Sequence, residues 1–262
     1  MIDYVLSLNP LIQALIAGIF SYFVTMLGAF LVFFMKGNNK ILMDSLLSIS
    51  GGIMLAASLF SLIIPAIEMS DSLNLSKLIV LPLGLLLGCL LIIIVDRVFN
   101  NSPKGKGNSS FRKSLLLVLS ITIHNIPEGL AIGVGFGSVI YNLDNVTIIT
   151  SWMLAIGIAI QNFPEGAAIS LPLYNEGISK KKAFFLGQIS GVVEPISSVI
   201  GALIVMKIKY LLPYLLSFAA GAMIFVVITE LIPESQNSEY KNWKAVIFIV
   251  GFILMMLLDI YL

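Results

Sequence analysis

"SITIHNIPEGLAIGVGFG", residues 120–137, lies inside an apolar run long enough to cross a bilayer, yet it holds the chain's single histidine, a proline and a glutamate. At residues 158–173, "IAIQNFPEGAAISLPL" repeats the pattern with Gln161 in the place of His124. The fold has to accommodate both.

Of the 262 residues, 58% are hydrophobic and 11% charged, with a mean hydropathy of +1.03. An average soluble domain is about one quarter charged, so a soluble protein is excluded. A helix needs about 20 apolar residues to span a bilayer. Runs of that kind fall near residues 11–35, 41–67, 77–96, 113–138, 147–173, 183–206, 211–233 and 243–262. The expectation is an all-α integral membrane protein with eight transmembrane helices in one domain covering residues 1–262. The first run has no basic segment before it and no small-residue cleavage site after it, and is read as a retained span. A lone Cys89 excludes an intramolecular disulfide and a thiolate metal cluster.

Lys and Arg accumulate in cytoplasmic loops. Alternate loops hold twelve of the fifteen basic residues: Lys36 and Lys40; Arg97, Lys104, Lys106, Arg112 and Lys113; Lys180, Lys181 and Lys182; Lys241 and Lys244. The opposite side has Lys77, Lys207 and Lys209. Both termini are therefore expected outside, in a cell (plasma or inner) membrane, with the polar loop at 100–112 in the cytoplasm. Small-residue stretches such as 50–58, 84–89 and 187–191 mark helix faces that can pack closely in lipid.

His124, Asn125 and Glu128 fall near the middle of the fourth expected span, Gln161, Asn162 and Glu165 near the middle of the fifth, and Glu194, in "GVVEPIS", at the same depth of the sixth. His124 and Glu128 are four residues apart, as are Gln161 and Glu165, which puts each pair on one helix face. An ionised side chain at the bilayer centre costs about 2.5–3.5 kcal/mol on insertion scales, and three carboxylates need something to offset that cost. Pro127 and Pro164 cannot donate to the carbonyls of Ile123 and Ile160, and Pro195 follows Glu194 in the same way. One imidazole, three carboxylates and three amides, with no thiolate, suit a divalent cation such as Zn²⁺, Fe²⁺ or Mn²⁺. Two glutamates would neutralise one such ion.

"HNIPEG", "QNFPEG", the glutamate of "GVVEP", "SLFSLIIPAIE" at 58–68 and "GAMIFVVITELIPES" at 221–235 resemble the ZIP (Zrt/Irt-like) family of divalent metal transporters, and its GufA-like branch in particular. The resemblance covers essentially the whole chain. It implies a ZIP-like bundle in a homodimer, with spans two, four, five and seven enclosing the pathway, and elevator-like alternating access. It implies a transport site at His124, Glu128, Gln161 and Glu165. A second site would use Asn125, Asn162 and Glu194 and share Glu128 and Glu165. Some relatives carry Asp at the position of Asn162, which weakens the case for a second metal. The histidine-rich loop of many relatives has no counterpart at 100–112.

The expected partners are divalent metal ions and the lipid bilayer, with no nucleic acid, and the metal is transported substrate, not a cofactor. Glu230 and Glu234 are candidates for an exit relay and Glu68 for the outer approach. An intramembrane metal hydrolase would call for an HExxH helix or several histidines, and the chain has a single His. A divalent cation channel is the other alternative.

Overall fold

The computed structural model describes residues 8–34, 40–100, 109–141, 147–233 and 240–261. They form helices α1 (Pro10–Phe30), α2 (Lys40–Ala57), α3 (Ile64–Ser72), α4 (Lys77–Asn100), α5 (Ser109–Ser138), α6 (Ile148–Asn175), α7 (Lys180–Ile189), α8 (Val193–Lys207), α9 (Leu212–Val226) and α10 (Lys241–Tyr261). A π-helical turn at Ser58–Ile63 joins α2 to α3, a 3₁₀ turn at Ser190–Val192 joins α7 to α8, and a second π turn at Val227–Leu231 extends α9. Pro65, Pro195 and Pro233 each follow one of these turns. A proline has no N–H to close the α-helical hydrogen bond behind it, so the preceding turn tightens or widens. By contrast, α5 and α6 stay α-helical through Pro127 and Pro164. The backbone irregularity nearest the polar residues is thus the 3₁₀ turn ahead of Glu194.

Among the described residues, seven passes are long and apolar enough to cross a membrane: Pro10–Phe33, Asp44–Ser72, Lys77–Ile94, Ile148–Asn175, Lys180–Lys207, Lys209–Leu231 and Lys241–Ile260. They match seven of the eight expected spans to within a few residues. The expected span at 113–138 falls on α5, which at 30 residues is about 45 Å long.

Two of the described helix starts are capped by side chains. Asn9 accepts from the Leu11 N–H at the start of α1, with Pro10 at the first helical position. Thr147 and Thr150 form a capping box on α6. Gly177, at φ 91°, turns the chain from α6 into α7 in a conformation open to glycine.

The helices pack as two groups. One consists of α1, α5, α6, α7 and α8, with its closest pairs α5 with α8 and α1 with α6; the other consists of α2, α3, α4, α9 and α10, built on the pairs α4 with α9 and α2 with α10. They meet where α2 lies against α6 and α5 against α9. Small residues set these distances, since apolar surface gains nothing by leaving lipid and helices associate through close packing. A Cβ on Gly133 of α5 would collide with the Ser198 carbonyl of α8, and one on Gly166 of α6 with the Thr25 carbonyl of α1. Gly88 meets α9 at Phe218, and Gly52 meets α10 at Phe248, in the same way.

Burial separates centre from rim. In the most apolar stretch of α6 83% of residues are buried, against 22% in α4 and 17% in α10. The helix with the second proline motif is thus shielded from lipid, whereas α4 and α10 present leucine, isoleucine and valine outward. One buried ion pair, Lys244 of α10 with Asp44 of α2, ties the second group together.

Two glycines on α5 should respond oppositely to alanine. Gly133→Ala forces α5 from α8 and should lower thermal stability by about 1–3 kcal/mol. Gly135→Ala, whose Cβ would find its nearest neighbours at 3.6 Å, should leave the melting temperature of the purified protein unchanged. Equal melting temperatures for the two variants would contradict this packing.

Candidate metal centre

The polar residues of both proline motifs converge inside the first helix group. Asn125 and Glu128 come from α5, Gln161, Asn162 and Glu165 from α6, and Glu194 from the first turn of α8, and all six are buried. Ser21 and Thr25, one turn apart on α1, are buried beside them. His124 occupies the α5 position one turn before Glu128, and its side chain lies outside the described residues.

The donors of this cluster are spent inside it. Gln161 Nε2 donates to Glu128 Oε1 at 2.7 Å. Asn162 Nδ2 donates to Glu194 Oε2 at 2.8 Å and to Ser21 Oγ at 2.9 Å. Asn125 Nδ2 donates at 3.3 Å both to Glu194 Oε1 and to the Ser190 carbonyl in the 3₁₀ turn. Thr25 Oγ1 adds a contact to Glu194 Oε1 at 3.3 Å. From across the group boundary, Ser50 of α2 donates to the Gln161 carbonyl at 3.3 Å.

What remains is a set of acceptors. Asn125 Oδ1, Glu128 Oε2, Gln161 Oε1, Asn162 Oδ1 and both oxygens of Glu165 are buried with no hydrogen-bond partner. Ser170 Oγ, five residues beyond Glu165, is in the same state. Careless packing would strand N–H groups as often as oxygens. Here every amide nitrogen of the cluster donates to at least one acceptor and the oxygens are left over. Buried acceptors without donors cost about 1–3 kcal/mol each, more when charged, and a cation would supply the positive charge that these oxygens lack.

Carboxylate and amide oxygens beside an imidazole position form a donor set for Zn²⁺, Fe²⁺ or Mn²⁺. Among the described residues no three His, Cys, Asp or Glu side chains are arranged to hold a metal by themselves. Binding here therefore has to draw on the amide oxygens or on His124.

The sequence profile of the ZIP zinc transporters matches residues 100–259. The zinc transporter ZIP11 of Xenopus tropicalis is 35% identical over 96% of this chain and 98% of its own length. The human ZIP11 is 33% identical over the same shares, and the zinc transporter GufA of Myxococcus xanthus is 34% identical over 78% of this chain and 80% of its own. This chain belongs to the ZIP family. All three relatives are named as transporters, not enzymes.

In this ZIP protein the centre faces the second helix group across a narrow gap lined by Pro127, Glu128, Met54, Ile92, Met223 and Val226. At the other end of the helices a cavity of about 570 Å³ opens among α3, α5, α6, α9 and α10. Glu68 lines it together with Asp259, which accepts from Ser61 Oγ at 2.8 Å. Its deepest residues on the motif helices, Gly135 and Leu154, are each seven positions from Glu128 and Gln161, about 10 Å along the helix.

Glu230 lies in the π turn Val227–Leu231, near enough to Glu165 for their charges to interact. Glu234 is outside the described residues. Sequence reasoning passed over Ser21, Thr25, Met54, Met223 and Asp259. Asp259 was visible as an acid in an apolar run, and Ser21 with Thr25 as hydroxyls one turn apart. The two methionines look like any other membrane residue.

Glu165 offers two unpartnered oxygens, so metal and stability should trade against each other there. Replacing Glu165→Met should raise the melting temperature of the metal-free protein, because a costly buried acid becomes an apolar side chain of similar size. The rise in melting temperature that Zn²⁺ produces in the unaltered protein should disappear. A scan with and without Zn²⁺ checks both, and a metal-free variant less stable than the original would contradict the assignment.

Proposed function

We propose that this ZIP family member carries a divalent metal cation, Zn²⁺ ahead of Fe²⁺, Mn²⁺ or Cd²⁺, across the membrane into the cytoplasm by alternating access. The observation that carries this reading is the set of buried oxygens without donors at the meeting of α5 and α6. His124, Glu128, Gln161 and Glu165 form the transport site, with Asn125, Asn162 and Glu194 as its adjoining wall. The cation is substrate and not a cofactor.

In this mechanism α5 is the eighth span, so the termini lie outside a plasma or inner membrane and the protein works as a homodimer. The ion enters through the cavity bearing Glu68 and Asp259, exchanges water for the oxygens of the centre, and leaves past Glu230 and Glu234. An inside-negative potential favours inward passage of a doubly charged ion by about 4.6 kcal/mol per 100 mV. No other energy source is required.

The division of the helices supports alternating access over a continuous pore. Every residue of the proposed site belongs to the first group, and the second group meets Glu128 with Met54, Met223 and Val226, side chains that hold the first group by no directional bond.

Uptake of Zn²⁺ into proteoliposomes tests the proposal. Glu128→Ala and Glu165→Ala should each abolish uptake while the protein still inserts, and retained uptake in both would remove the centre from the pathway. Because protons compete with the metal for carboxylate and imidazole, uptake should fall as external pH drops below about 6. Uptake that climbs steadily with acidity would instead mean proton-driven import, and single-channel currents in a planar bilayer would mean a channel.

A further inference from the structure

We propose that Glu194 is a positioning residue and not a metal ligand, and that the centre consequently holds one cation per chain. The inference rests on the transport reading of the site. Asn125 Nδ2 donates to Glu194 Oε1 at 3.3 Å, and Thr25 Oγ1, whose one hydrogen is shared with the Ser21 carbonyl at 3.2 Å, lies 3.3 Å from the same oxygen. Glu194 Oε2 accepts from Asn162 Nδ2 at 2.8 Å, and the Ser21 hydroxyl stands beside the same carboxylate. A cation approaching Glu194 would have to displace amide and hydroxyl hydrogens already pointing at it.

Those hydrogen bonds orient the two asparagines. A carboxylate attracts the N–H end of an amide and repels its carbonyl end, so neither side chain can flip without setting oxygen against oxygen. The remaining N–H of Asn162 is held by Ser21 Oγ and that of Asn125 by the Ser190 carbonyl. With both N–H groups anchored, Asn125 Oδ1 and Asn162 Oδ1 are the ends left without a partner. The backbone that carries Glu194 is packed tightly against α5, because a Cβ on Gly129, next to Glu128, would lie 2.6 Å from the Glu194 carbonyl oxygen and 2.9 Å from its Cα. Glu194 therefore acts on the cation through the carbonyls that it aims, and these add oxygen contacts without adding charge.

The difference from a binuclear centre can be counted. Purified full-length protein is equilibrated with Cd²⁺, freed of unbound metal, and analysed for metal per chain, with uptake kinetics measured in proteoliposomes. The unaltered protein should bind one Cd²⁺ per chain. Glu194→Gln should also bind one, with KM raised about 10-fold and kcat retained, since it loosens the amides without removing a ligand. Asn162→Asp should bind two, because it sets a second carboxylate against Glu194 in place of an N–H donor.

Two Cd²⁺ per chain in the unaltered protein, falling to one in Glu194→Gln, would make Glu194 a ligand and overturn the inference while leaving transport intact. One Cd²⁺ in Glu194→Gln with an unchanged KM would also overturn it, by removing the positioning role. No Cd²⁺ bound and no uptake in the unaltered protein would instead overturn the transport reading itself.

Discussion

An acid at the centre of a membrane protein is stable only while something positive or hydrogen-bonding faces it, because in a medium of low dielectric neither water nor salt screens its charge. Glu194 meets that requirement with amides and hydroxyls. Glu128 meets it by half, through Gln161, and Glu165 not at all. This gradation organises the centre. Donors are plentiful at Glu194 and missing at Glu165, and it is the oxygens without donors that the proposed transport site draws on.

The same constraint explains the packing around the centre. Unsatisfied oxygens facing lipid would cost several kcal/mol each, so the helices bearing them have to be enclosed, and α6 is the most enclosed of the apolar passes. Glycines bring α5 against α8 and α1 against α6 until backbone touches backbone, which locks four helices into one unit and fixes the spacing of their polar residues. The neighbouring group is as tightly built, through Gly52 and Gly88 and the buried Lys244–Asp44 pair. Between the two units the contact beside Glu128 is methionine, isoleucine and valine. Elsewhere along the boundary Ser50 donates to the Gln161 carbonyl, and polar residues of both groups line the cavity that bears Glu68 and Asp259.

Much of this was legible in the sequence, because hydropathy and spacing are local. Seven apolar passes are where length and composition put them, and Asn125, Glu128, Gln161, Asn162, Glu165 and Glu194, all singled out in the sequence, are buried. What was not legible depends on three-dimensional pairing. Nothing near Glu194 in the chain says that Ser21 and Thr25, some 170 positions earlier, will stand against it. The prolines misdirect as well, since α5 and α6 absorb theirs within regular helix while the breaks that shape the backbone precede Pro65, Pro195 and Pro233. Whether a proline breaks a helix is decided by what packs against it. Met54 and Met223 acquire meaning only from the motif helix opposite.

Charge balance gives the centre a further consequence for its energetics. Two carboxylates with open oxygens, Glu128 and Glu165, match one doubly positive ion, and Asn at position 162 avoids adding another acid. In an alternating-access cycle where the site travels with its cargo, the ion would cancel two of the three glutamate charges, so the membrane potential would act less on the loaded step than on the empty one. It acts most on the return. The emptied site would carry two more negative charges back towards the outside than the loaded site brought inward, a difference that an inside-negative potential favours by about 4.6 kcal/mol per 100 mV, the same amount that a bare divalent ion would gain by moving inward. The driving force over a full cycle is unchanged, but it falls on the resetting of the carrier. A site built from buried acceptors and no fixed cation would place that work on the step that prepares it for the next ion.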